Sequence, residues 1–243
     1  MAFSTGLPKR IYERLPRRLP RSLGFKRYAL YFDGVDDYVE VPAMNINMPS
    51  ITVLVLAKSS TPTWNTYGWL ASSRDASGFI VHPVEGEKRW GGFVFDDAGT
   101  FHKIGDHEPS DITAFHQYGI SYDYDTKIAR MIFDGVVVVE TALDITRGVW
   151  NHHTLIGKDD TADRYGKGII SEVLIYNRPL SQAEIRRNML EYHNPVRDGL
   201  VLWLHDRIAG DIWYDESPYT NNGTIYGAVR KELAMWELRA SIL

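Results

Sequence analysis

The sequence contains no cysteine, which excludes a disulfide framework and any metal site built on thiolates. It has no run of about 18 apolar residues, so we expect no helix that spans a membrane. The first 27 residues also lack the apolar core of a secretion signal, because a proline or a charge recurs every few positions. We therefore expect a fold that depends on its apolar core, in a protein that is not exported by a signal peptide.

Residues 1–27 differ in composition from the rest of the chain. They hold eight Lys or Arg residues and one acidic residue, a net charge of +7, although the whole chain of 243 residues carries −4. Three Leu-Pro pairs forbid a long helix here and favour an extended path. We interpret the segment as a basic arm that laces subunits of an assembly together, with a solvated tail as the alternative. Nucleic acid is not an expected partner, since no nucleic-acid-binding motif is recognisable. The arginines expected to make the subunit contacts are Arg10, Arg14, Arg17, Arg18 and Arg21.

Strand patterns begin at residue 28. Residues 29–32 and 38–41 alternate apolar and polar side chains, and the turn formers of residues 33–37 separate them. This pattern predicts a β-hairpin that ends at Pro42. The segment contains the motif Phe-Asp-Gly at 32–34 followed by Asp-Asp-Tyr-Val at 36–39. This motif resembles the first segment of laminin G-like domains of the concanavalin A-like lectin and glucanase superfamily.

Three further segments resemble the same family in the same order. Residues 51–58 are apolar on nearly both faces, with Leu56 at the family's usual Trp. Residues 118–138 predict a hairpin turning at 123–126 and a second, type I′ turn at Asp134-Gly135. Residues 151–157 and 168–181 resemble the closing segment, with Ser171 in place of the usual Asp. The resemblance implies an all-β fold, a two-sheet antiparallel β-sandwich of the concanavalin A-like jelly-roll type.

The order of the segments is unusual after residue 180. Ser181 and Glu184 form a capping-box pattern that predicts a short helix over residues 181–193. Residues 195–229 resemble the family segment that normally precedes the Phe-Asp-Gly strand, so the chain reads as circularly permuted or as carrying an abandoned second repeat. We expect a sandwich over 28–194, completed by 195–229 in its own subunit or in a neighbour, and a C-terminal helix or tail over 230–243.

No enzymatic activity is expected. Glucanases of this superfamily need paired carboxylates on one strand, in a Glu-x-Asp-x-x-Glu pattern, and this chain offers only the lone Glu172 on the strand that matches best. A serine nucleophile motif and a thiol are both missing. His152 and His153 are adjacent, and on a strand they would point to opposite faces, which argues against one shared metal ion.

Two binding sites are candidates. Asp33, Asp36 and Asp37 share one loop, where they either bind calcium, as related sandwiches often do at strand ends, or only cap the turn. A sugar needs an exposed aromatic platform with polar neighbours, and the best loop candidate is Trp64, Asn65 and Tyr67. Trp69 and Trp90 fall inside strand patterns and are expected in the core.

Two functions remain open at this point. The arm and the displaced segment favour a structural or surface component of an assembly, such as a virion capsid or decoration protein. Its expected partners are other shell subunits. Its expected location is a virion or another extracellular particle, or otherwise the cytoplasm. The alternative, implied by the family resemblance, is a carbohydrate-binding lectin or adhesion module with glycan partners.

Overall fold

A computed structural model describes residues 27–191 and 193–234. These residues form eighteen strands and one helix, α1, at Gln182–Leu190. The first nine strands are β1 Arg27–Asp33, β2 Tyr38–Val41, β3 Ile46–Asn47, β4 Ile51–Ser59, β5 Ala71–Ser73, β6 Phe79–Pro83, β7 Trp90–Phe95, β8 Phe101–His107 and β9 His116–Asp123. The other nine are β10 Ile128–Phe133, β11 Val136–Ala142, β12 Val149–Trp150, β13 Thr154–Ile156, β14 Lys167–Tyr176, β15 Leu200–Ala209, β16 Ile212–Asp215, β17 Gly223–Tyr226 and β18 Val229–Leu233.

Sixteen of the described strands build two facing antiparallel layers, and β3 and β12 pair separately with each other. The first layer runs β11-β10-β9-β4-β14, and the far edge of β14 is shared by β1 and β15, with β18 beside β1. The second layer runs β17-β2-β13-β5-β6-β7-β8, and β16 links it to β15. Strands β6, β7 and β8 lie across from β9, β10 and β11. This arrangement confirms the predicted all-β sandwich.

The core lies between the layers and is rich in aromatic side chains. Five tryptophans are fully buried, and at such a site truncation to alanine typically costs about 3–5 kcal/mol. Strand β4 lies between β9 and β14, as its apolar run predicts. The five tryptophans are Trp64, Trp69, Trp90, Trp150 and Trp213.

The hairpins predicted over residues 118–138 are confirmed. Strands β9 and β10 pair across the turn at 123–126, and β10 pairs with β11 beyond the next turn. Asp134 and Gly135 have φ values of 48° and 77°, and a type I′ turn requires positive φ at both central residues.

The hairpin predicted over residues 28–42 is wrong, although both of its strands exist. Strand β1 pairs with β14 and β18 in the first layer, whereas β2 pairs with β13 and β17 in the second. Residues 34–37 therefore cross from one layer to the other. The crossing is held by Asp37, whose Oδ2 accepts a hydrogen bond of 2.8 Å from the backbone N–H of Asp33.

The C-terminal segment completes both layers within the same chain. Strand β15 pairs with β14, β17 pairs with β2, and β18 pairs with β1. The sequence predicts a helix or tail from residue 230, but residues 230–233 belong to strand β18. They form a strand because the open edge of β1 offers backbone partners there. The circular permutation stays a prediction.

Helix α1 begins with the predicted capping box at Ser181 and Glu184 and ends at Leu190, slightly before the predicted end at 193. Residues 1–26 of the basic arm, which include its five arginines, lie outside the described residues, as do Tyr192 and residues 235–243, whereas Arg27 begins β1. Within the described ranges, no helix has both the length and the apolar character that crossing a bilayer demands.

Candidate functional site

The outer face of the second layer carries a group of tyrosines. On β2, Val39 and Val41 point into the core, so Tyr38 and Glu40 point outward. Strand β17 alternates in the same way and places Tyr226 directly opposite Tyr38. The two rings stack with centroids 4.5 Å apart and an interplanar angle of 13°.

The loop between β13 and β14 adds a third ring and a positive charge to this group. The ring of Tyr165 lies 6.4 Å from that of Tyr38. The Lys158 Nζ lies 5.4 Å from the Tyr38 centroid and 5.0 Å from the Tyr165 centroid, within the range of a cation–π contact. We call Tyr38, Tyr165, Tyr226 and Lys158 the tyrosine surface. Tyr226 is 41% exposed, so a ligand in solution can reach it.

The predicted calcium ligands lie beside the tyrosine surface. Oxygen atoms of Asp33, Asp36 and Asp37 all come within 4.8 Å of one another. Burial raises the pKa of the Asp37 carboxyl, and the charges of Asp33 and Asp36 raise it further. A cation would relieve this repulsion, so the three carboxylates fit part of the oxygen shell of calcium. The turn-capping role is also real, since Asp33 Oδ1 accepts from the Val35 N–H and Asp37 Oδ2 from that of Asp33.

The predicted sugar platform is wrong at Trp64. Its ring is 1% exposed and packs edge-on against Trp69 and Tyr118, and its Nε1 donates to the Lys88 carbonyl. A sugar cannot stack on a ring that is enclosed in the core. Trp69 and Trp90 are buried as expected.

Asn65 and Tyr67 lie elsewhere and do different things. The Asn65 amide donates to the Tyr165 carbonyl and accepts from the Lys167 N–H, at 2.8 and 2.7 Å, so it fixes the loop that carries Tyr165. Tyr67 is half-buried, with its ring 5.8 Å from the His82 ring and 5.1 Å from the Arg164 guanidinium carbon.

The expectation that His152 and His153 point apart is also wrong. They precede β13 in a bend rather than on a strand, so strand alternation does not apply to them. Their ring centroids lie 4.2 Å apart, and the Nε2 atoms of His152 and His153 lie 3.1 and 2.7 Å from the two carboxylate oxygens of Asp160. Sequence reasoning missed Asp160, which follows His153 by seven residues and comes directly after Asp159, because the sequence does not show which of the two acids faces the histidines.

Glu172, the lone acid of the best-matched strand, does not face a ligand. It is 3% exposed, and its Oε1 accepts a hydrogen bond of 2.9 Å from the Trp203 Nε1. Burial raises the pKa of its carboxyl to about 8.

A family model described as the concanavalin A-like lectin/glucanases superfamily, of laminin G type, matches residues 33–186. The chain belongs to this laminin G-like family. The matched range begins at Asp33, the last residue of β1, and ends inside α1, so it leaves out the rest of β1 and strands β15 to β18. None of the curated protein sequences compared with this laminin G-like chain matches it.

Solved structures share the fold at low sequence identity. A proposed carbohydrate binding protein from Bacteroides ovatus has a TM-score of 0.65 at 18% identity, over 86% of this chain and 60% of that protein. A heptameric SAP-like pentraxin from Limulus polyphemus has a TM-score of 0.64 at 11% identity, over 86% of this chain and 96% of its own. The binding domain of Botulinum neurotoxin serotype D has a TM-score of 0.51 at 14% identity, over 64% of this chain and 40% of its own. This laminin G-like chain thus spans 60% of the length of the Bacteroides protein.

Proposed function

We propose that the protein is a carbohydrate-binding module, a lectin or adhesion domain, that holds its glycan on the tyrosine surface. The observation that carries the proposal is the stacked pair of Tyr38 and Tyr226 on an accessible strand face. Pyranose rings bind by stacking their apolar faces on aromatic rings, while their hydroxyl groups take hydrogen bonds from nearby polar groups.

The neighbours of the stacked pair supply those polar groups. Lys158 donates from one side, and the carboxylates of Asp33 and Asp36 are exposed in the adjoining loop. We include calcium in the proposal, held by Asp33, Asp36 and Asp37, because sugar hydroxyls and carboxylates are both oxygen ligands of the kind that calcium prefers.

The comparisons support a binding module more than a shell protein. The Bacteroides ovatus protein is described by carbohydrate binding, whereas neither the family model nor the three structures named above support a virion capsid or decoration role. An extracellular setting, where glycans are displayed, is part of the proposal. Self-association through the basic arm concerns residues outside the described part of the chain and stays a prediction.

The test is a glycan array with the full chain, followed by calorimetry with the glycan that binds best. We expect Tyr226→Ala to weaken binding about fivefold or more through loss of the stack. Tyr219→Ala is the matched control, because Tyr219 is 46% exposed but lies beside Asn177 and Arg197, away from the tyrosine surface.

Each arm of this experiment tests a separate part of the proposal. Failure of the full chain to bind any glycan contradicts the proposed function, and equal weakening by both tyrosine variants contradicts the proposed place. Calorimetry is repeated with calcium and with a chelator. Unchanged affinity after chelation contradicts the calcium site while leaving the glycan site intact.

A further inference from the structure

Two histidines and an aspartate converge beside β13, a strand that lies inside the second layer. One ring nitrogen of His152, one of His153 and one carboxylate oxygen of Asp160 lie within 4.8 Å of one another. The Asp160 side chain is 5% exposed, whereas the rings of His152 and His153 are 27% and 34% exposed. The group is therefore anchored on the protein side and open on the solvent side.

The outward ring nitrogens face carboxylates as well. The Nδ1 of His152 lies 3.4 Å from Asp75 Oδ2, and the Nδ1 of His153 lies 3.8 Å from Glu40 Oε1. Histidines that bind a metal through one nitrogen usually direct the other N–H to a carboxylate, which fixes the tautomer and makes the ligand more basic. A carboxylate lies near the outward nitrogen of each ring, and at 3.4 and 3.8 Å the two contacts are charge contacts rather than hydrogen bonds.

The loop that carries Asp160 is held in place by hydrogen bonds. Gly157 has a φ of 87° and turns the chain directly after β13, and a β-carbon there would collide with the Phe32 ring. The Asp160 Oδ2 accepts a hydrogen bond of 2.6 Å from the Arg74 N–H. The neighbouring Asp159, fully buried, binds the Arg74 guanidinium through both of its carboxylate oxygens. Such a set is preorganised for a ligand.

The two rings face one carboxylate side by side. The Nε2 atoms of His152 and His153 lie 3.1 and 2.7 Å from the two oxygens of Asp160, and the ring centroids are 4.2 Å apart. A divalent cation between these three groups would take a lone pair from each Nε2 and an oxygen of the Asp160 carboxylate, which compensates part of its charge.

We propose that His152, His153 and Asp160 bind one divalent cation of the nitrogen-preferring class, with Zn²⁺ as the first candidate. Two imidazoles and a carboxylate form a common three-ligand set for zinc, and the fourth position opens to solvent, where it takes water or an oxygen of an external ligand. Calcium is disfavoured here because it prefers oxygen ligands throughout. The site is separate from the acidic loop and does not depend on glycan binding.

Isothermal calorimetry on the full chain, freed of metal by chelation and titrated with ZnCl₂, tests the proposal. We expect one high-affinity Zn²⁺ per chain, weakened at least about tenfold in His153→Ala and Asp160→Asn. The control is His193→Ala, since His193, His205 and Asp206 form another histidine-acid group in the described residues. This variant should keep the full affinity.

Cobalt provides a second measurement. Co²⁺ added to the metal-free chain should give visible absorption bands of a four-coordinate site, and Zn²⁺ should remove them. Circular dichroism checks that each variant is folded. If His153→Ala does not fold, Asp75→Asn is used instead, because it leaves all three ligands in place. This variant should weaken Zn²⁺ binding less than loss of a ligand does. The proposal is overturned if the full chain binds no Zn²⁺ tighter than exposed histidines do, or if affinity falls in His193→Ala but not in the variants of the site.

Discussion

At the scale of single residues, Glu172 is a buried carboxyl group whose pKa folding raises strongly. Burial raises the pKa of its carboxyl from the ordinary 4.5 to about 8, against the opposing effect of the hydrogen bond from Trp203. The folded protein therefore keeps a proton on Glu172 over a pH range in which the unfolded chain has lost it. The contribution of Glu172 to the free energy of unfolding therefore falls as the pH rises from about 4.5 to about 8.

Glu172→Gln should remove this contribution to the pH dependence. Glutamine has nearly the same shape, carries no charge and can still accept from the Trp203 Nε1. The free energy of unfolding of the variant minus that of the parent should therefore be larger at pH 8 than at pH 5, by about 1 kcal/mol or more. Urea unfolding followed by tryptophan fluorescence measures this difference. A parent-to-variant difference that is the same at both pH values would contradict it.

The residues of the candidate sites are predictable from the sequence only in part. The acidic loop is recognisable, because Asp33, Asp36 and Asp37 are close in sequence. The prediction for Trp64 fails because a loop position does not reveal whether a ring points outward, and this ring is enclosed by aromatic residues far along the chain. The pairing of Tyr38 with Tyr226 depends on a register between strands almost 190 residues apart, which no local pattern contains.

At the scale of elements, nearly all the predicted strands exist, but local alternation does not reveal their partners. Strands β1 and β2 show the same two-residue period whether they form a hairpin or cross between layers. Their layers are decided by β14 and β13, which supply backbone partners more than 100 residues later. The turn at Asp134-Gly135 is predictable because its geometry is fixed by two residues.

Helix α1 gives the prediction that belongs to this scale. The Ser181 side chain accepts from the Glu184 N–H, and the Glu184 carboxylate accepts from the Ser181 N–H at 2.9 Å. Ser181→Ala removes half of this box, so we expect a loss of about 1 kcal/mol and a melting temperature lower by about 2–4 °C. Differential scanning calorimetry measures both. Arg186→Ala, an exposed change in the same helix, should alter stability by less than about 0.5 kcal/mol, and an equal loss in both variants would contradict the capping role.

At the scale of the whole molecule, the C-terminal strands connect the layers and bring the two ends of the described chain together. In the pairing of β18 with β1, Leu233 lies directly opposite Arg27. Cross-strand neighbours are about 5 Å apart, so a short turn can join them. Arg197 and Asp198, by contrast, are exposed and lie between α1 and β15, where the chain can be opened.

A permuted chain should therefore fold to the same structure. It would run from Asp198 to residue 234, through a linker of about four residues, and then from Arg27 to Arg197. This order places the strands β15 to β18 before β1, as the family resemblance of residues 195–229 predicts. We expect the permuted chain to give the same circular dichroism and tryptophan fluorescence spectra as residues 27–234 of the parent chain. It should also unfold cooperatively on heating, because every strand keeps its partners.

The control is a second permutant with the same linker, whose new chain ends lie between Ser171 and Glu172, inside the buried strand β14. That cut removes continuity from a strand whose neighbours are β4, β1 and β15, and it should prevent cooperative folding. The prediction fails if the permutant that begins at Asp198 is unfolded or aggregated while the parent residues 27–234 fold. That result would contradict the close placement of Arg27 and Leu233. It would also contradict the interpretation of the C-terminal segment as a displaced first segment. Folding of both permutants alike would show instead that the position of the opening does not matter, and the experiment would then give the displaced segment no support.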